Sequence, residues 1–203
     1  MKFTQIPTDT FETLQMNAGI LVSGFTPATG AIAENGLIGA TTGGIQFADA
    51  ISFIDLGEDI DNCPKNMKEL KQIDQREVTM SGTFVTVKAA TAKMLAIADI
   101  DGTDSTKIIP RNDLDDTDFS DIWFIGDYSN VNTGENAGFL AIKLKNALNT
   151  GGFALQTGDK AKGNFAFTFT GHYSMSAQDE VPYEIYIKAG TSGTSETPAT
   201  PRT

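Results

Sequence analysis

Cysteine and histidine are almost missing from this chain: 203 residues contain one of each, Cys63 and His172. A lone thiol excludes an intramolecular disulfide framework and fits a chain made in the cytosol. Zinc sites need several Cys or His ligands, and neither residue has a partner nearby in sequence. A Ser-His-Asp triad would have to use His172, which has no nucleophile motif beside it. Cys63 stands between acids and Pro64, surroundings that do not activate a thiol. Basic residues are also scarce, with 15 Lys and Arg against 26 Asp and Glu, a formal net charge of −11. Such a surface is poorly suited to gripping nucleic acid or anionic lipid, which needs clustered cations. No apolar run approaches the ~20 residues of a membrane helix. Residues 1–8 have no apolar stretch of the kind found in secretory leaders, so no leader and no membrane contact are expected.

What the sequence does have is a 40% hydrophobic content, enough for a real core, arranged mostly with a period of two. Between residues 164 and 173, Phe165, Phe167 and Phe169 fall on one face, with Asn164, Thr168, Thr170 and His172 on the other. Leu140, Ile142 and Leu144 alternate with Lys143 and Lys145. Tyr183, Ile185 and Ile187 alternate with Glu184, Tyr186 and Lys188. Across 45–55 the odd positions Ile45, Phe47, Ile51 and Phe53 are apolar, and Asp49 is the exception. In 76–88, Val78, Met80 and Phe84 share a face before Val85 and Val87 change sides, a switch that a bulge near Gly82 would explain. The run Ile122-Trp123-Phe124-Ile125 is expected of a strand covered on both faces, and residues 18–25 read as a further strand. Only 89–99 has helical spacing, with Ala90, Met94, Ile97 and Ala98 recurring and Gly102 just beyond. One helix among about seven strands predicts a mainly β protein, an antiparallel sandwich or barrel with a flanking helix. Residues 18–190 would form this domain, between an extended arm, 1–17, and a Gly/Ser/Thr/Pro-rich flexible tail, 191–203.

Two stretches read as neither strand nor helix. Residues 27–44 are rich in Gly, Ala and Thr, as in a loop or hairpin excursion. Residues 56–75 are too long for an idle connection between two strands. This loop is acidic first (Glu58, Asp59, Asp61) and basic later (Lys65, Lys68, Lys71). A split of that kind suits complementary head-to-tail contacts between copies of the chain.

Several short motifs suggest chemistry and fail on context. Asp99-Ile100-Asp101-Gly102-Thr103 looks like the opening signature of haloacid-dehalogenase-type phosphatases, and Gly126-Asp127-Tyr128-Ser129-Asn130 looks like part of their magnesium motif. That architecture needs a parallel sheet with intervening helices, and Val131 stands where the final acid belongs. As a calcium loop the same region has Asp104 in place of the Gly and Pro110 in place of the bidentate Glu. The run Asp113-Leu114-Asp115-Asp116-Thr117-Asp118 reads as a solvated acidic loop. No catalytic residue, metal site or cofactor is expected.

Three segments together resemble the tail-tube, or major tail, proteins of siphophages from low-GC bacteria. They are Gly36-Leu37-Ile38-Gly39-Ala40-Thr41-Thr42-Gly43-Gly44-Ile45, then Asp55-Leu56-Gly57-Glu58-Asp59-Ile60-Asp61-Asn62-Cys63-Pro64-Lys65-Asn66, then Val78-Thr79-Met80-Ser81-Gly82-Thr83-Phe84-Val85-Thr86-Val87. The segment from Thr10 to Leu21 fits the same family. The likeness covers about the first hundred residues in motif and the rest in strand order. It implies a virion protein made in the host cytoplasm, forming hexameric rings that stack into a tube. A tape-measure protein would fill the lumen during assembly, and DNA would later pass without specific binding, past a wall that an acidic subunit can keep repulsive. It also implies that the arm (Phe3, Ile6, Phe11, Leu14) and the loop from Asp55 to Gln75 are contacts between subunits. Other readings are a head-decoration or tail-terminator subunit, or a carbohydrate- or surface-binding sandwich marked by exposed aromatics.

Overall fold

The computed structural model describes residues 6–131 and 137–191; Phe3 and the tail from 192 onward lie outside the described residues. The elements, in chain order, are β1 (Gln15–Val22), β2 (Phe25–Thr26), β3 (Ala31–Ile32), β4 (Leu37–Gly39), β5 (Thr41–Asp55), β6 (Lys71–Phe84), α1 (Ala89–Ala96), β7 (Ala98–Ile100), β8 (Ile108–Pro110), β9 (Ser120–Tyr128), β10 (Phe139–Asn149), β11 (Ala154–Gln156), β12 (Asn164–Thr170) and β13 (Tyr183–Lys188). Every strand pairing is antiparallel. The protein is mainly β, a sandwich with one flanking α-helix.

Nine strands form one hydrogen-bonded sheet, seven of them on the path β4-β1-β9-β10-β12-β6-β5, with β11 joined to β12 and β13 to β10. The path folds into two layers at β10. Phe139 to Leu144 pair with β9 on one side and β13 on the other, whereas Leu148 and Asn149 pair with β12. Between them Asn146 takes a left-handed φ of 46°. Its amide N–H donates to Asp121 and its side chain to the His172 carbonyl, while His172 Nδ1 lies 3.1 Å from the Asn146 carbonyl oxygen. His172 therefore pins the corner where one layer becomes the other.

The alternation sets the core. Leu21, Ile122, Phe124, Ile142 and Leu144 from one layer meet Val78, Met80, Phe84, Phe167 and Phe169 from the other, and Leu95 of α1 closes an end. Asn149, fully buried, donates to the Leu95 carbonyl at 2.8 Å and accepts from the Thr168 N–H, so α1 is hydrogen-bonded to the sheet. Ile122-Trp123-Phe124-Ile125 is covered on both faces as its composition predicts. Trp123 turns away from the main core to join Val22, Phe25, Phe139 and Ala141 beneath the β2–β3 hairpin.

Several boundaries differ from the sequence reading. The helix stops at Ala96 rather than 99, because Ile97 takes a left-handed φ of 51° and Ala98 already begins β7, so Gly102 plays no part in ending it. β1 begins at Gln15, inside the expected arm, because Gln15 and Met16 pair with Tyr128 and Asp127. Residues 27–44 contribute β3, β4 and the start of β5 rather than a plain loop. The irregularity expected near Gly82 lies on its partner strand. Thr42 faces Thr83 and Ile45 faces Gly82, so Gly43 and Gly44, at φ 76° and 84°, are the inserted residues. Val85 and Val87 change sides because the strand has already ended at Phe84.

Candidate assembly surface

β5 and β6 are the longest described strands, 15 and 14 residues. β12 pairs with β6 only as far as Thr79. Beyond that point β5 and β6 continue as a two-stranded ribbon down to the Asp55–Lys71 pair. β5 starts beside β4, where Gly39 lies against the Phe84 ring. It then crosses the sandwich until Phe47 touches the Tyr183 ring of β13, and runs on past that edge.

A polar bracket marks where the core stops. Asp49 accepts from the Arg76 guanidinium at 2.7 Å and from the Tyr183 hydroxyl at 3.0 Å, joining ribbon to opposite layer. Asp49 Oδ1 is buried and accepts from no donor among the described residues. Burial and the Asp49 carboxylate both push the Tyr183 hydroxyl above its ordinary value. The one break in the odd-numbered alternation of 45–53 is thus the residue that ends the core, a role that sequence reasoning did not assign.

Past the bracket the core-side alternation continues, and among the described residues no strand of the opposite layer pairs or packs there in the core cluster. Ile51 faces Arg76, Phe53 faces Ile73, and Asp74 is the extra residue of a bulge between Ser52 and Phe53. Phe53 is 53% exposed and Ile73 52%. The Lys71 ammonium sits 5.0 Å from the Phe53 ring centroid. Ile185 and Ile187 on β13, an edge strand that pairs only with β10 among the described residues, are likewise exposed. An isolated two-stranded hairpin is marginal in water, and an apolar, unpaired edge is a template for another chain.

The ribbon ends in the loop 56–70. The sequence expectation extended this loop to Gln75; residues 71–75 belong to β6 instead, because Lys71, Gln72, Ile73 and Gln75 keep pairing with β5. Asp55 organises it, one carboxylate oxygen accepting the Gly57 N–H at 3.0 Å and the other the Asn66 N–H at 2.8 Å. The two N–H groups, Asn66 first and then Gly57, hold the Asp55 carboxyl below its ordinary pKa. Gly57 is buried, and a Cβ there would lie 2.9 Å from both Cys63 Sγ and a Leu70 methyl. Cys63 Sγ lies 3.4 Å from the Met67 sulfur, and Asn62 and Asn66 turn the chain at φ 59° and 61°. Cys63 and Asn62 therefore have structural places inside the loop, next to Pro64. Glu58, Asp59, Asp61, Lys65 and Lys68 point to solvent and form no ion pair among the described residues. In the arm, Ile6, Phe11 and Leu14 are exposed around a short turn of 3-10 helix, Thr10–Glu12.

The motifs that suggested chemistry have local partners. Asp101 accepts from the backbone and hydroxyl of Thr103 and from Lys107, which hold its carboxyl down at about 2. Arg111 is ringed by Asp99, Asp115 and Asp118 at 2.9, 2.5 and 2.6 Å, so two acids of the run are ion-paired while Asp113 and Asp116 are exposed. Asp127 accepts from Asn17. Among the described residues no three His, Cys, Asp or Glu side chains converge as a metal-ligand set, and no helix is long and apolar enough to cross a membrane. No known family model matches this chain, and no curated protein is significantly similar to it.

Proposed function

We propose that this protein is a structural subunit that assembles with copies of itself, a tail-tube subunit of a long-tailed phage. The observation that supports the reading is the ribbon: two strands carried past the body, with Ile51, Phe53 and Ile73 in water. A monomer gains nothing from this arrangement, whereas a neighbour's surface would bury those side chains at about 25 cal/mol per Å². The sheet edges that no other described strand pairs with agree with this. β5 and β11 end one layer, and β4 and β13 the other. Strand addition along such edges would join subunits into hexameric rings, and the loop 56–70 and the arm would add contacts within and between rings.

The layer of β5, β6 and β12 also offers a wall for the lumen. Its outer face presents Gln46, Ala48, Ala50, Thr79, Ser81, Ala166 and Thr168, with Glu77 as an acid. Short uncharged side chains and a carboxylate, with no Lys or Arg among these residues, would let DNA slide without holding its phosphates. A tape-measure protein would occupy that lumen during assembly. The other layer is covered on its outer face by the β2–β3 hairpin and is less suited to the role.

Negative-stain electron microscopy across a concentration series tests the reading. Hollow tubes or six-fold rings are expected for the purified protein. A closed trimer would point to a decoration subunit. Monomers at every concentration, with and without added tube fragments, would overturn self-assembly.

A further inference from the structure

On the edge of the sandwich opposite the ribbon lies an apolar groove. Two adjoining hollows of about 220 and 530 Å³ share Asn35, Gly36, Leu37 and Lys88. Ile20 and Ile32 line one and Met94 the other. Leu37, on β4, is 54% exposed in the middle of it. Lys88 is the only charged side chain lining the groove and has no ion-pair partner among the described residues.

We infer that this groove receives the tip of the β5–β6 ribbon from a second copy of the chain. The tip has the matching chemistry: Leu56 and Ile60 are about half exposed, and Glu58, Asp59 and Asp61 flank them to meet Lys88. Geometry excludes the chain's own tip. β5 begins at Thr41, four residues after Leu37, and its 15 extended residues span roughly 50 Å at about 3.3 Å per residue, with the tip at the far end. A projection and a socket that cannot meet within one molecule form a heterologous contact, which closes into a ring or propagates. The inference rests on the self-assembly reading and names the surface that receives the ribbon.

Two variants test it. Leu56→Asp with Ile60→Asp spoils the tip, and Leu37→Asp spoils the socket; all three positions are exposed, so near-ultraviolet circular dichroism of both should match the wild type. Each variant alone is expected to lose assembly, its self-association constant falling at least tenfold. An equimolar mixture should give a heterodimer and no larger species in sedimentation velocity, because one good tip and one good socket remain. If Leu37→Asp assembles normally, the groove is filled by the chain's own arm or by another partner, and the inference is wrong. If both variants are inert and the mixture stays monomeric, the groove takes a different segment of the neighbour, and the inference is again wrong. Failure of the wild type to assemble would instead remove the self-assembly reading beneath it.

Discussion

The same two strands live in two environments. Between Thr41 and Asp49, β5 has the opposite layer against its inner face, and Phe47 packs on the core beside Met80 and Tyr183. Between Ala50 and Asp55 the identical alternation puts Ile51 and Phe53 into water. Nothing in side-chain type separates the halves; what separates them is whether another layer is present. Apolar periodicity specifies which face seeks burial and leaves open whether the cover comes from the same molecule.

Paired truncations sharpen this contrast most. Phe84→Ala, in the covered half of β6, should cost about 3–5 kcal/mol and lower the melting temperature of the monomer. Phe53→Ser, on the same face in the uncovered half, should leave the monomer's melting temperature within a degree or two and reduce assembly in a light-scattering assay. A large stability loss for Phe53→Ser would mean that the ribbon is already covered within one chain. The next largest effect lies at the boundary. Arg76→Ala strips the part-buried Asp49 carboxylate of its cation and should cost about 1–3 kcal/mol in urea unfolding. A double-mutant cycle with Tyr183→Phe would show coupling, since both side chains converge on the same Asp49 oxygen.

Much of the body is legible in the sequence because burial there follows simple patterns. Phe165, Phe167 and Phe169 share the face that their spacing predicts, and Trp123 is buried as expected of an apolar run. What escaped the sequence depends on partners distant along the chain. Ile185 and Ile187 alternate as core residues do, yet are exposed on β13, an edge strand paired only with β10 among the described residues. The helix ends three residues before its spacing predicts because nothing local in Ala98 and Asp99 forbids a helix, and only the left-handed turn at Ile97 decides. For the candidate site, the loop charges were visible, but the ribbon carrying them was not. Pairing of Lys71–Gln75 with β5 is a register fact, and a polar stretch such as Lys71-Gln72-Ile73-Asp74-Gln75 carries little register information. The groove over Leu37 is assembled from β1, β3, β4 and α1, and no local pattern announces it.

The smallest expected effect concerns the tip alone and follows from Asp55. Its carboxylate is the acceptor that folds the loop, and the N–H groups of Asn66 and Gly57 depress its pKa below the ordinary 3.8. A depressed carboxyl stabilises the folded loop fully above the ordinary value, and that contribution disappears as pH falls through the lowered one. Protection of the Gly57 and Asn66 amides against hydrogen exchange, corrected for the intrinsic rate, should therefore hold steady from neutral pH to about 4. Below that it should fall as the carboxyl takes up a proton. Asp55→Asn keeps one carbonyl acceptor and loses the charge, so it should begin with weaker protection at neutral pH and show no such acid step. The amides of Met80 and Phe84, deep in the sheet, should not distinguish the two proteins in this range. If they did, the loop would be stabilising the body through the ribbon, and the division at Asp49 and Arg76 would not be a boundary between separately stabilised halves.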